Sequence, residues 1–287
     1  MSLEASLGVS ARPSDLPPIG PSELLRLYGR LVGARARGQM QYKTSFYLAT
    51  LATIAASLTD FLGLVVIFGR VPELANWSLG EVALLYGLTL IAFGLAETFG
   101  RGFDVFPRQV VLGTFDRVLT RPLGAFFQIL ATDLPLQKLG RAAEGLVVFV
   151  VAARSVGIHW TLGKVVVLAL TVPSGTAIFF STFVIGAASS FWTVEANEAV
   201  NIFTNGGTQL LSYPLDIYHV SLRRFVTFVV PLAFVSYYPG LYLLDRPDPL
   251  GLPAWVGFLA PLAALVFAAL AWVVWSMGVR HYQSTGS

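Results

Sequence analysis

Long apolar runs separated by short polar stretches dominate the chain. Phe46 to Phe68 is apolar except for Asp60, and Glu81 to Phe99 carries only Glu97 near its end. Arg141 to Val156 is shorter and flanked by charge. Val165 to Phe191 is long enough to tilt and contains Pro173, and Trp255 to Val279 carries Trp272 and Trp275 near one end. A helix needs about 20 apolar residues to cross a hydrocarbon core roughly 30 Å thick, so these five stretches meet or approach the length of a membrane span. A sixth, Phe225 to Leu244, is broken by Pro231 and Pro239, and the polar stretch Trp192 to Tyr213 before it reads poorly as a span. Upstream, Ser22 to Lys43 reads as an amphipathic helix, with Leu24, Leu25, Leu27, Tyr28, Leu31 and Val32 at helical spacing among Arg26, Arg30, Arg35, Arg37 and Lys43. A helix of this kind lies in the headgroup region and attracts anionic lipid. Residues 1–20 contain Pro and Ser but no apolar h-region, and they read as a disordered tail rather than a signal peptide.

Composition sharpens this picture. Of the 287 residues, 55% are hydrophobic and 12% charged, about half the charge of a soluble domain. Mean hydropathy is +0.69. That excludes an ordinary cytosolic enzyme and a disordered chain. A formal net charge of +3 is too weak for a nucleic-acid footprint. Cysteine is absent, which excludes disulfides, thiolate metal sites and a Cys nucleophile.

The basic residues instead report orientation. With the N-terminus inside, Arg12, Arg26, Arg30, Arg35, Arg37 and Lys43 precede the first span. Arg101, Arg108, Arg117, Arg121, Lys138 and Arg141 lie between the second and third, Arg223 and Arg224 lie inside if 225–244 is a span and outside if it re-enters, and Arg280 follows the last. Arg70, Arg154, Lys164 and Arg246 fall outside. Positive residues accumulate on the cytoplasmic side, so both termini are expected there, with an even number of spans, six.

Residues 101–139 form the long hydrophilic connection on that side. Two short helical pieces are expected, Phe115 to Leu119 and Ala125 to Leu130. Phe103, Phe106, Phe115, Phe126 and Phe127 sit among arginines, as in a docking surface of exposed aromatics rimmed by charge. The bland alternative is that these rings pack back onto the bundle.

Two motif groups then stand in order along the chain. The first is Arg101-Gly102-Phe103-Asp104, Arg108, Gly113-Thr114-Phe115-Asp116 and Leu119-Thr120-Arg121-Pro122. The second is Phe191-Trp192, Glu195, Gly206-Gly207, Tyr213-Pro214-Leu215-Asp216-Ile217-Tyr218, Leu222-Arg223, Pro231-Leu232-Ala233-Phe234 and Tyr237-Tyr238-Pro239. From about residue 25 onward the chain resembles the permease subunits of ATP-binding-cassette exporters of the type-2 class. It departs from their pattern at His219, where Pro is expected. The resemblance implies an interfacial helix, six spans, an inner loop that contacts an ATPase subunit (two copies in the assembly), and a pathway formed with a second permease protomer, identical or paralogous. The coupling loop would use Arg101, Asp104, Arg108, Asp116, Arg117, Arg121, Phe126 and Phe127.

The chain itself carries no nucleotide site. Gly157 to Val165 has five residues between its glycines where a P-loop has four, and Val where Mg²⁺ needs a hydroxyl. ATP and Mg²⁺ would belong to the partner ATPase, and no cofactor or metal is expected here. His159, His219 and His281 lie far apart and give no metal spacing, and no nucleophile elbow is present, so no catalytic residue is assigned.

Polar residues inside spans are the remaining candidates. Asp60 lies 14 residues beyond Phe46, about 21 Å along the helix. A charge at that depth costs at least ~2.5 kcal/mol and marks a polar cavity or a partner; a satisfied pair within the bundle or a protonated carboxyl would serve equally. Glu97 with Arg101 and Arg141 with Glu144 read as local helical pairs. Glu195, Glu198, Asn201 and Asn205 form one stripe if their segment is helical, and such a stripe must face protein or water.

Two arrangements fit residues 192–244. Either 192–224 is an inner loop and Phe225 to Leu244 the fifth span, or the fifth span is Thr193 to about Tyr213 and 214–244 re-enters from the outer side. Either way the expected fold is all-α and polytopic: a tail (1–20), an interfacial helix (21–43), one permease domain (44–280) and a C-terminal tail (281–287). The expected function is the permease of an ATP-driven exporter in a bacterial inner membrane. An ion-coupled secondary transporter using Asp60 and a non-transporting scaffold are the alternatives.

Overall fold

The computed structural model describes residues 20–193 and 196–282. The tail expectations for 1–19 and 283–287, and Glu195, lie outside the described residues. Eleven α-helices are described: α1 (Pro21–Gln41), α2 (Lys43–Phe68), α3 (Leu79–Val111), α4 (Asp116–Leu119), α5 (Ala125–Leu130), α6 (Leu139–Val156), α7 (Leu162–Ser189), α8 (Ala196–Leu211), α9 (Val220–Phe228), α10 (Tyr237–Leu243) and α11 (Ala260–His281). Among the described residues there is no strand, only a single bridge between Leu74 and Trp77.

Contacts between connections define two ends of the bundle. At one end, Gln39 of α1 bonds the backbone of Leu134 and Leu136, Tyr282 bonds Asp116 at 3.0 Å, and Trp192 stacks on His281. At the other, Trp77 bonds Asp216 at 2.7 Å, Lys164 bonds Asp245 at 2.6 Å, and Arg246 reaches both Glu81 and Asn76. We call these the loop end and the cap end. Helices α2, α3, α6, α7, α8 and α11 each run between them. Four, counting the 3₁₀ turn at Ala254–Leu259 with α11, are long and apolar enough to cross a membrane alone. The others are α6, whose 18 residues include Arg141, Glu144 and Arg154, and α8, of 16 residues. At 1.5 Å per residue these span about 27 and 24 Å.

Helix α6 is held by its neighbour α3 rather than by apolarity. A methyl at Gly87 would sit 2.7 Å from the backbone nitrogen of Phe149, at Gly94 2.7 Å from that of Ala142, and at Gly145 2.8 Å from the carbonyl oxygen of Gly87. Small residues on both helices let the backbones touch along their length, which substitutes for the missing hydrophobic drive inside lipid.

The cap decides between the two arrangements of 192–244. Asp216 bonds Trp77, while Asp245 and Arg246 bond Lys164 and Glu81, so residues 214–218 and 245–246 lie at the same end. The chain between them dips in and returns, bending by 77° between α9 and the 232–243 segment. The inner-loop arrangement is therefore overturned and α8 is the fifth traverse. Buried Arg223 holds this turn by donating to the carbonyls of Leu215, Asp216 and Tyr218. His219 replaces the expected Pro without loss of the turn. Its φ is −57°, within proline's own range, and its Nδ1 accepts from the Ser221 N–H at 3.3 Å, capping α9.

The connection expected over 101–139 is shorter than its polarity suggests. Helix α3 starts at a capping box of Ser78 and Glu81 and continues to Val111, so Arg101 to Val111 is helix, not loop. Its 33 residues give a rod about 50 Å long that projects past the loop end.

Candidate functional site

Two polar features face away from the hydrophobic core. The first is a crevice of about 440 Å³ in the loop-end half, between α3, α7 and α8 and closed by the start of α6. Glu97, nearly buried, accepts from Lys138 at 2.9 Å and from Arg141 at 2.5 Å. The Arg141 guanidinium also lies 5.2 Å above the Phe93 ring. Local pairing of Glu97 with Arg101 is thus corrected: Arg101 pairs instead with Asp104 and lies 4.0 Å from Asp133. The sequence cannot show this, because Lys138 and Arg141 are brought to Glu97 only by the α3–α6 seam. Removing one member of such a cluster leaves buried charge uncompensated. Asn201 and Asn205 of α8 line the opposite wall, bonded to each other at 2.9 Å.

The second feature is an open polar face. Asn201, Asn205 and Gln209 recur every four residues on α8 and are exposed. Gln209 donates to Asp60 of α2 at 3.2 Å, and Asp60 is also exposed. Only 17% of the most apolar window of α2 is buried, against 72% for α3, so α2 stands at the margin of the bundle. The opposite face of α8, Thr204, Gly207, Thr208 and Leu211, is buried. The polar stripe expected from spacing therefore points out of the protomer. Glu198 shares this helix, and Glu195 lies outside the described residues.

One intramembrane carboxylate escapes sequence reasoning. Glu144 does not pair with Arg141 as its spacing suggests. It accepts from Ser57 of α2, whose carbonyl in turn accepts from Tyr86 of α3 at 2.7 Å. This polar junction ties together three helices, and Glu144 Oε1 is buried without a partner. Only the placement of a carboxylate on a small-residue helix hinted at it.

At the loop end the aromatic expectation is corrected. Phe103, Phe106 and Phe115 are fully buried rather than exposed. They join Phe126, Phe180, Phe191, Trp272, Trp275 and Tyr282 in one aromatic cluster of tilted and edge-to-face pairs. The spacing of Phe103 and Phe106 is that of a helix face, and the face is turned inward by the continuation of α3. Phe127 packs edge-on against Tyr28 of α1. What remains outward is Val111, Leu112 and Leu119 among exposed Arg108, Arg117 and Arg121. Asp104 is engaged by Arg101 and Asp116 by Tyr282.

Among the described residues no cluster of His, Cys, Asp or Glu could hold a metal ion. Comparison with known families places the chain. Residues 54–286 match the profile described as ABC-2 family transporter protein, which covers most of the sequence. No curated protein and no solved structure matches. The chain belongs to the ABC-2 transporter family.

Proposed function

We propose that this ABC-2 family member is the pathway-forming permease of an exporter, working as a pair of permease protomers with two separate ATPase subunits that bind ATP and Mg²⁺. The observation that carries the pairing is the exposed stripe of Asn201, Asn205 and Gln209 with Asp60. Polar groups at membrane depth must face protein or water. A second protomer set against α2 and α8 encloses that stripe, and the space between the two copies becomes the pathway.

The basic residues support the sidedness. With 214–244 returning to the cap end, Arg223 and Arg224 join Arg70, Arg154, Lys164 and Arg246 there, and the other twelve basic residues among the described ones lie at the loop end. The loop end is then cytoplasmic, as are both termini, in a bacterial inner membrane. The outward patch of Val111, Leu112 and Leu119 rimmed by Arg108, Arg117 and Arg121 is the surface for the ATPase. Closure of the ATPase pair moves that patch. The aromatic cluster passes the movement to α3, α7 and α11 as one body, while α2 and α8 line the pathway.

The chain lacks cysteine, so cross-linking reports one position at a time. Gln209→Cys, treated in membranes with a short bis-maleimide, is expected to give a covalent dimer, and exposed Leu265→Cys on α11 is not. Monomer alone at 209 under conditions that label it would refute the paired pathway.

A further inference from the structure

A cavity of about 820 Å³ lies between α1, the first turns of α2 and the segment leading into α6. Helix α1 lines it with residues three and four apart, one face of the helix, and Phe46 and Ala49 of α2 give it an apolar wall. The opposite wall carries Arg101, Asp133 and Lys138, and Arg35 of α1 also lines the cavity. Counting the carboxylates that Arg101 and Lys138 already engage, the group holds Arg35, Arg101, Lys138 and Arg141 against Asp133, Asp104 and Glu97. One positive charge is in excess, and Arg35 makes no ion pair among the described residues.

The cavity also has a fixed frame. The Gln39 side chain donates to the Leu134 carbonyl at 2.6 Å and accepts from the Leu136 N–H at 3.1 Å. That amide clamp fastens α1 to the connection before α6. Beside it, Gly38 leaves open space, for a methyl there would meet nothing within 4 Å. Tyr42, 72% exposed for a large aromatic, marks the junction of the amphipathic helix and the first span, the level at which aromatic belts meet headgroups.

One surplus cation over an apolar wall, at headgroup depth, matches a monoanionic phosphodiester carrying acyl chains. We propose that this cavity binds one anionic phospholipid, its phosphate held at Arg35 with Arg101 and Lys138 and an acyl chain lying on Phe46 and Ala49. The bound lipid would brace α1 against the 133–138 segment and so adjust how firmly the loop end is held.

The test uses the purified full chain, delipidated in a neutral detergent and without any ATPase, so its outcome is independent of the proposed motor. Thermal unfolding is followed while phosphatidylglycerol, phosphatidylcholine or inorganic phosphate is added, and bound lipid is counted by native mass spectrometry. Phosphatidylglycerol is expected to stabilise saturably at one per protomer, with the other two inert. Arg35→Gln should raise the half-saturating concentration about fivefold, the weight of one basic residue at an anionic surface. Gly38→Phe narrows the cavity beside Arg35 and should weaken saturable binding at least as much, without lowering the unliganded melt. Three results would overturn the site: equal stabilisation by phosphatidylcholine, an equal response to inorganic phosphate, or one-to-one phosphatidylglycerol binding unaffected by both substitutions. A Gly38→Phe chain that does not fold leaves Arg35→Gln to decide.

Discussion

Gly102 is the position where one methyl group tests the loop end most severely. It lies on the continuation of α3, and an added Cβ would stand 1.9 Å from the carbonyl oxygen of Ile129 and 2.9 Å from its carbon. A carbon and a carbonyl oxygen rest together at about 3.3 Å, so α5 must retreat by roughly 1.4 Å. The obstacle is backbone, so no rotamer change relieves it. Overpacking of this kind costs about 1–3 kcal/mol. The retreat also draws Phe126 away from Phe103, Trp272 and Trp275, each such pair contributing about 0.5–1.5 kcal/mol. Alanine recovers about 1 kcal/mol of helix propensity. A net loss of about 2–3 kcal/mol remains, or roughly 4–12 °C in melting temperature at ~2–4 °C per kcal/mol. Gly29→Ala on α1, where a methyl meets nothing within 4 Å, is the control and should be neutral or stabilising. Melting of the purified chain in detergent, with limited proteolysis of residues 112–131, gives the readout. If Gly102→Ala melts with Gly29→Ala and resists protease equally, the packing of α5 on α3 is not as described.

Two further predictions concern the cap. Ser221→Cys, exposed at the start of α9, should react with an impermeant maleimide from outside spheroplasts together with Glu73→Cys, whereas Thr120→Cys at the loop end should react only after lysis; the reverse pattern at 221 would restore an inner loop. Asp248 has one oxygen buried without a partner, and burial, with Asp216 nearby, raises its pKa above the ordinary aspartate value. A raised folded pKa means stability that is full below the ordinary value and lost as pH rises through the folded one. Wild-type melting should therefore fall relative to Asp248→Asn as pH rises from about 4, and parallel pH profiles would contradict the assignment.

Much of the bundle was legible because lipid leaves few solutions. Apolar runs of span length located α2, α7 and α11 to within a few residues, and spacing gave α5 its ends. Hydropathy alone ends α3 early because Arg101-Gly102 interrupts it. The helix persists there because Phe103 and Phe106 bury against Trp275, and because Gly102 admits the Ile129 carbonyl. The same burial explains why aromatics among arginines resembled a docking surface; polarity along the chain does not say which side of a helix faces in. The stripe on α8 is visible as spacing; Gln209 continues it one turn further, and its bond to Asp60 joins two helices that no spacing relates. The pairing of Glu97 depends on glycine contacts between α3 and α6, and that of Glu144 on the packing of α2 against α6, properties of two segments that neither displays alone.

The central claim is that this chain supplies a pathway and another polypeptide supplies the work. Its most direct test is ATP hydrolysis by the tagged chain purified from its native membranes, before and after a wash that strips peripheral subunits. The account predicts steady turnover in the unstripped complex, none in the stripped chain, and recovery when the ATPase fraction is added back. Continued turnover by the stripped, contaminant-free polypeptide would contradict it.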